Sequence, residues 1–418
     1  MKKKRLVVQK YGGTSVGSID RIKNVASRIS GYVKNGDDVV VVASAMSGVT
    51  DNLISMAHQA NPNPQERELD MLLATGEQAS CALLAMSLHG MGHDAISLNG
   101  TQVGIRTDKF HAKAKIMDID NKRIRRELKK GKVIVITGFQ GITENDDIAT
   151  LGRGGSDLSA VAIAAALSAD ICEIFTDVDG VYTTDPRVVP EAKKIDVIDF
   201  DEILELAARG AKVMHSRSIE VAKKYNIPLH VRSSLNNKEG TLIMNTQKVD
   251  NKIEKPVVRG VALTEKEAKV TILGVSDRPG SAAKIFKELS RENVNVDMIV
   301  QNISSERRTD ISFTVELTDL KKAVKISHRI AEQIKAGQVI VDENIAKVSI
   351  VGIGMRSHSG VAARCFEVLA KEKVNIEMIS TSEISISCVV VKKDGAKALK
   401  SLHKAFGLGS KGSKKCQK

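Results

Sequence analysis

Across the first 250 residues, short apolar runs alternate with stretches whose apolar positions recur at helical spacing. The runs Leu6–Gln9, Val39–Ala43, Val133–Thr137, Ile171–Thr176 and Leu229–Arg232 predict strands. Strands that alternate with helices in this way predict an α/β fold with a mostly parallel central sheet covered by helices. Four of the runs lead directly into unusual loops: Lys10–Ser15, Ser44–Thr50, Gly138–Gly141 and Asp177–Thr184. In open α/β sheets ligands bind beyond the carboxyl ends of the strands, so these four loops are expected to gather on one edge as a site. Asn236–Lys255 is polar and ends at Pro256, which reads as a linker region with a short strand at Gly240–Met244.

The last third of the chain repeats itself. Val270–Gly274 matches Val348–Gly352. Farther on, Gly280, Phe286, Leu289, Asn295, Met298 and Ile299 match Gly360, Phe366, Leu369, Asn375, Met378 and Ile379, with two extra residues in the first loop of the second copy. Each copy reads strand, glycine-containing loop, amphipathic helix, Val-Asn turn, two strands and a helix, which predicts two ferredoxin-like units. Three domains follow: 1–250, 264–340 and 345–418, the last with a basic tail. A duplicated unit without catalytic residues suggests regulation or assembly.

Composition narrows this picture. A chain of 418 residues with 42% hydrophobic content is expected to form two or three domains with sizeable cores. Few aromatic residues and no Trp speak against a stacking platform for single-stranded nucleic acid. The net charge of +13 gathers in Lys2–Arg5, Lys122–Lys132 and Lys411–Lys418, without any recognition motif, and reads as solvated surface charge rather than a nucleic-acid interface. Cys81, Cys172, Cys365, Cys388 and Cys416 show no ligand spacing, and the first four read as buried thiols in a reducing compartment. The apolar run behind the basic start is too short for a signal peptide, and no stretch approaches the ~20 apolar residues of a membrane span. A cytoplasmic protein without a membrane partner is the expectation.

The candidate chemistry lies in the loops. Gly152-Arg153-Gly154-Gly155-Ser156-Asp157 precedes an alanine-rich helix pattern at Leu158–Ala169. A glycine turn at a helix start offers bare amides and the positive end of the helix dipole to an anion. Lys10-Tyr11-Gly12-Gly13-Thr14-Ser15 is a second such loop, placing an ammonium beside two glycines. It reads either as a phosphate grip or as a strand-end lysine on the surface. GxxxxGK[ST] is absent, so this is not a P-loop. Glu77 sits in an apolar helix pattern, either as a surface charge or as a partner for a substrate ammonium. Arg153 is its complement, able to take a carboxylate bidentately. Thr176–Arg187 is either a nucleotide-contacting turn or a turn whose Asp residues cap backbone amides. Lys212 is a further phosphate candidate, and His215 reads as structural.

Together these residues resemble the aspartate kinases of the amino acid kinase family with two C-terminal ACT domains, and the likeness covers nearly the whole chain. Its diagnostic segments are Lys10–Ser15, Gly152–Asp157 and Thr176–Arg187. The resemblance implies transfer of the ATP γ-phosphoryl to L-aspartate, the first step toward lysine, threonine and methionine. It implies Lys10, Arg153 and Asp157 as catalytic residues, and Ser44, Thr50, Glu77, Phe139, Arg153 and Ser156 around the substrate. Lys10, Tyr11, Gly12, Gly13, Thr176, Asp177, Tyr182, Arg187 and Lys212 would contact ATP. Mg2+ is implied, held by phosphates and water with no protein ligand set.

Lysine, threonine or both are implied as allosteric effectors. The matching positions in the first repeat are Asp277, Arg278, Pro279, Gly280, Ser281, Ala282, Asn295, Val296, Asp297 and Gln301. In the second they are Gly360, Val361, Asn375, Ile376, Ser382 and Glu383. An ACT-mediated dimer or tetramer is expected, with a shorter companion subunit an open possibility. Ser216 and Ser359 stand where relatives carry proline, and the tail Lys411–Lys418 has no counterpart. The sequence leaves three rivals: a kinase for a different acid such as glutamate, a catalytically silent amino-acid sensor, and a nucleic-acid binder.

Overall fold

The computed structural model describes residues 4–211, 213–246, 257–302, 307–358 and 360–409. They fall into two compact units. One holds Met1–Val181, Lys194–Ala207 and Lys212–Asn251; the other holds Tyr182–Lys193, Ala208–Ala211 and Lys252–Lys418. Lys212, Ser359 and the tail from 410 onward lie outside the described residues.

The first unit is built on an eight-stranded sheet. Its order is Val197–Ile198, Thr241–Ile243, Leu229–Ser233, Ile171–Thr176, Leu6–Tyr11, Asp38–Ala43, Val133–Thr137 and Ala95–Leu98. All neighbours run parallel except Leu229–Ser233 with Thr241–Ile243. The five predicted strands are the five contiguous strands at its centre. Their inner positions are almost wholly buried, as in Val39–Val42 and Val133–Ile136, so they read as apolar runs. The sequence reading missed Ala95–Leu98 and Val197–Ile198, which are short and sit at the edges. A further small sheet, ordered Ile116–Ile119, Ile105–Thr107, Gln140–Ile142 and Ile148–Thr150, was also unforeseen. It corrects the loop assignment at Gly138–Gly141, because Gln140 already pairs opposite Thr150.

Helix Ile19–Lys34 starts at Ser18, whose hydroxyl accepts from the Arg21 amide, and buries Ile22, Val25, Ala26 and Ile29 on the sheet. Helix Gly155–Leu167 is buried nearly all round, which its small alanine side chains permit. Helix Glu66–His89 is long and apolar enough to cross a membrane, contrary to the expectation of no such stretch. It nevertheless packs inside the unit, with Asp70 and Glu77 buried among its neighbours.

The second unit contains two four-stranded antiparallel sheets, each with two helices. The first sheet is ordered Val296–Gln301, Arg308–Glu316, Glu267–Ser276 and Val339–Asp342, with helices Ser281–Arg291 and Leu320–Gln333. The second is ordered Gly260–Thr264, Ile345–Val351, Ser385–Val391 and Met378–Thr381, with helices Val361–Lys371 and Gly395–Ala405. The repeat therefore holds, but the expected boundaries need correction. Gly260–Thr264 pairs with Ile345–Val351 and supplies the fourth strand of the second repeat, so the first repeat is inserted within the second. Met298, Ile345, Met378 and Val389 form an apolar cluster shared by the two repeats. Beside it, the fully buried ammonium of Lys347 pairs with Glu267 and Asp297.

The boundary at 250 changes too. Tyr182–Lys193 joins the second unit because Thr183 Oγ1 contacts His403 Nε2 at 3.0 Å and donates to the Leu408 carbonyl at 3.2 Å. The Val261 amide donates to the Thr183 carbonyl, and Val189 enters the core around Val348 and Leu399. Ala208–Ala211 follows for a similar reason: Arg209 Nη1 pairs with Asp297 at 3.1 Å.

Candidate active site

A cleft of ≈ 330 Å³ opens at the carboxyl ends of the central strands of the first unit. Three of the four predicted loops meet there. Lys10 and Gly13 come from the first, Ser44–Gly48 and Thr50 from the second, and Phe139 from the third. Asp51, Glu77 and Gly152–Asp157 complete the lining.

The first turn follows from strand pairing. Leu6–Tyr11 lies between Asp38–Ala43 and Ile171–Thr176, and its glycines lie against both neighbours. The Gly12 amide donates to Phe175 O, and Gly13 O accepts from the Ser47 amide at 3.2 Å. A Cβ on Gly13 would lie 2.9 Å from Ala45 O, so only glycine fits. Ser15 Oγ donates to Ser234 Oγ, which donates to Thr176 O, tying this turn to the end of the neighbouring strand. Tyr11 requires a correction. Its ring is fully buried and stacks on Phe175 with centroids 4.7 Å apart, and its hydroxyl donates to Gln9, so the side chain is core rather than nucleotide contact. An alternating strand that points Lys10 toward the cleft must send Tyr11 to the opposite face.

The second turn is held by close packing. Gly152 and Gly154 adopt φ of +75° and +74°. A Cβ on Gly154 would sit 2.5 Å from His215 Cβ, which accounts for the structural reading of that histidine. Gly155 lies against the Phe139 ring and Gly138 against Ser156, which seats the start of helix Gly155–Leu167 on the third loop. Among the described residues the Ser156 and Asp157 amides donate to no backbone carbonyl, leaving a helix N-terminus open to an anion. Asp157 Oδ1 holds Lys10 Nζ at 2.7 Å, so the two glycine turns are joined by an ion pair.

Across the cleft, Glu77 is only 3% exposed. One carboxylate oxygen accepts from the Ala45 amide at 3.1 Å, while the other is buried with no hydrogen-bond partner. Burial pushes its pKa up to about 7, against the lowering effect of the Ala45 amide. Arg153 is exposed, and no ion pair or hydrogen bond engages it among the described residues. An orphaned acidic oxygen and a free guanidinium thus border the same cleft. That pair suits a zwitterion carrying both an ammonium and a carboxylate.

Other expected residues are placed differently. Thr176 Oγ1 donates to Asp177 at the end of its strand. Tyr182 and Arg187 fall in the second unit, where Arg187 pairs with Asp185 at 2.7 Å. In the repeats, Asp277–Gly280 leads into helix Ser281–Arg291, and Gly360 occupies the same cap position before Val361–Lys371. Asn295 and Asn375 are exposed, whereas Asp297 is already engaged by Arg209 and Lys347.

Of the buried acids that escaped the sequence reading, Asp70 and Glu173 lie nearest the sheet and the glycine turns. Asp70 is fully buried and accepts from Thr150 and from the 111–112 segment. Glu173 sits mid-strand in Ile171–Thr176, opposite Gln9 and His230. Burial works to raise its pKa, but hydrogen bonds from His230, Tyr32 and Gln9 and the charge of Arg232 hold it down at about 2. A polar residue inside an apolar run was the only available signal for either.

Comparison with known proteins identifies the family. The amino acid kinase family matches residues 5–233, and an ACT domain model matches 270–330 and 348–406. An aspartokinase from Pseudomonas aeruginosa is 53% identical over 403 residues, covering 96% of this chain and 98% of the relative. The crystal structure of Escherichia coli aspartokinase III with aspartate and ADP, in the R-state, superposes with a TM-score of 0.81 at 27% identity, covering 96% of this chain and 99% of that one. The T-state crystal structure of the same enzyme, with lysine and aspartate, gives 0.75 at 27% identity, covering 96% and 99%. Site geometry, duplicated C-terminal repeat and full-length relatives all agree: the chain belongs to the amino acid kinase family, as an aspartate kinase with C-terminal ACT domains.

Proposed function

We propose that the enzyme transfers the γ-phosphoryl group of ATP to the side-chain carboxylate of L-aspartate, releasing ADP and 4-phospho-L-aspartate. The observation that carries this reading is the pairing of an orphaned Glu77 oxygen with an unengaged Arg153 beside the Lys10 turn. Glu77 takes the substrate ammonium and Arg153 its α-carboxylate, with Ser44, Thr50, Phe139 and Ser156 lining the space between. The β-carboxylate is then free to face the γ-phosphorus. One of its oxygens forms the new P–O bond as the bond to the β-phosphate oxygen breaks, and ADP leaves with that electron pair. The acceptor is already ionised near neutral pH, so no general base is required. Lys10, oriented by Asp157, and the open amides of Ser156 and Asp157 offset charge on the transferring group, while Gly12 and Gly13 admit the phosphates closely. Thr176 and Asp177 are the nucleotide contacts at the neighbouring strand end.

Mg2+ would arrive with the nucleotide. Among the described residues no three His, Cys, Asp or Glu converge as a ligand set, and phosphates and water would hold the ion. We further read the ACT repeats as the site of end-product control. Lysine is the first candidate, because the T-state relative contains it, and threonine is the second. On this reading the enzyme opens the cytoplasmic route to lysine, threonine and methionine, and the repeats pair copies of the chain.

A coupled ADP-release assay with aspartate, glutamate and acetylglutamate tests the assignment. Turnover with aspartate is expected, and turnover restricted to another acid would reject it. Adding lysine and threonine, singly and together, tests the regulatory reading, since full activity in saturating amounts of both would remove it.

A further inference from the structure

Asp70 is a fully buried carboxylate outside the cleft lining, and the chemistry above does not use it. Its Oδ2 accepts from the Ala112 amide at 2.9 Å, the Thr150 amide at 3.0 Å and His111 Nδ1 at 3.0 Å, while its Oδ1 accepts from the Thr150 hydroxyl at 2.5 Å. A buried charge satisfied this fully holds its donors in one arrangement, because each would otherwise be left unpaired.

Those donors control the approach to the second glycine turn. Thr150 ends its strand two residues before Gly152 and three before Arg153. Ala112 has a φ of +61°, a strained value for a residue with a Cβ, and its carbonyl lies 2.9 Å from where a Cβ on Gly152 would stand. The Ala114 amide donates to Thr150 O at 2.9 Å. From the opposite side, Arg217 donates to Leu151 O at 2.8 Å and to Ala114 O at 3.0 Å. The strand leading to Arg153 is thus clamped to the 111–114 segment, with Asp70 as its deepest anchor.

The same helix carries Glu77. Seven residues separate it from Asp70, a spacing that returns to nearly the same face about 10 Å farther along the axis. Between and beyond them, Ala74 O accepts from Gln140 Nε2, and Ser80 Oγ donates to Ser44 O. One stripe of helix Glu66–His89 therefore fastens the second loop, the third loop and the strand into the second glycine turn. We infer that Asp70 is a positioning residue for Arg153: through Thr150 and Ala112 it sets how far the Arg153 turn stands from Glu77, and so the length of amino acid that both can grip. This rests on Arg153 taking the substrate α-carboxylate.

The test uses the full-length enzyme in the ADP-release assay, with Asp70→Asn, Arg153→Ala and the double variant. Asn keeps the volume and one accepting oxygen while removing the charge. The expected result is a KM for aspartate raised about tenfold in Asp70→Asn, with the KM for ATP changed less than about twofold. In the Arg153→Ala background, Asp70→Asn should then add almost nothing, because the group it positions is gone. Multiplying effects, or an equal rise in both KM values, would overturn the inference while leaving the reading of Arg153 intact. An unchanged aspartate KM in Arg153→Ala alone would instead sink that reading, and the inference with it. Thr150→Val, which deletes only the hydroxyl on Oδ1, serves if Asp70→Asn does not fold. It should move the aspartate KM the same way by a smaller factor, and no change would count against the proposal.

Discussion

Glu77 shows what a single buried carboxyl does to a site. Its pKa of about 7 means that the folded protein keeps the proton where an unfolded chain would lose it. The associated stability is fully present below the ordinary carboxyl range and is lost as pH rises through 7, on the order of 3 kcal/mol. Function runs the other way, since the ammonium of the substrate requires the ionised form. The KM for aspartate should therefore rise about tenfold per pH unit below 7 and level off above it, as read from initial rates across pH 5.5–8.5. Glu77→Gln should flatten that profile, melt higher than the parent at pH 8 and bind aspartate poorly. A parent-like profile in the variant would remove Glu77 from the substrate. Lys10 gives a sharper expectation. Lys10→Ala deprives Asp157 of its partner and the phosphoryl group of its cation, so kcat should fall about 10²–10³-fold. A loss smaller than tenfold would show that the first turn does not meet the phosphates.

Glycines set how closely the elements approach. Gly154 combines a positive φ with a contact no side chain can enter, 2.5 Å from His215, whereas Gly360 has a φ of +92° with open space around it. Gly360→Ala should lose only the backbone strain, about 1–2 kcal/mol. Gly154→Ala adds a collision at the start of helix Gly155–Leu167 and should lose both more stability and most activity. Urea unfolding and specific activity of the two variants separate these outcomes, and equal losses would mean that the His215 contact yields easily. The two glycine loops were legible in sequence because a glycine cluster after an apolar run has few other uses. The Asp70 clamp was not, because the acceptor sits on a helix and its donors on a loop and a strand, and the three meet only in the fold.

For the whole molecule, the order of the C-terminal strands matters more than the repeat itself. A fragment covering 264–409 looks complete from the internal repeat, yet it lacks the strand Gly260–Thr264, which pairs with the buried strand Ile345–Val351. A fragment beginning at 257 keeps that strand. The longer fragment should unfold cooperatively in urea, and the shorter one should aggregate or lose several kcal/mol, since an unpaired apolar edge is left open. Equal midpoints would show that the strand is dispensable. The repeat was visible because both copies share apolar spacing. The insertion was invisible because Gly260–Thr264 has no matching segment after the second helix.

The sequence alone determined the five central strands, the two glycine turns, four charged residues of the cleft (Lys10, Glu77, Arg153 and Asp157) and the duplicated C-terminal unit. Each is local: an apolar run, a cluster of flexible residues or a repeat carries its own signal. Tertiary structure decided the rest. It turned Tyr11 into the core while its neighbour Lys10 faces Asp157, because adjacent strand residues point to opposite sides. It left one oxygen of Glu77 without a partner, made Asp70 an anchor, and placed Gly260–Thr264 in the second repeat. These depend on which distant segments become neighbours, and that is settled by burying the whole chain at once.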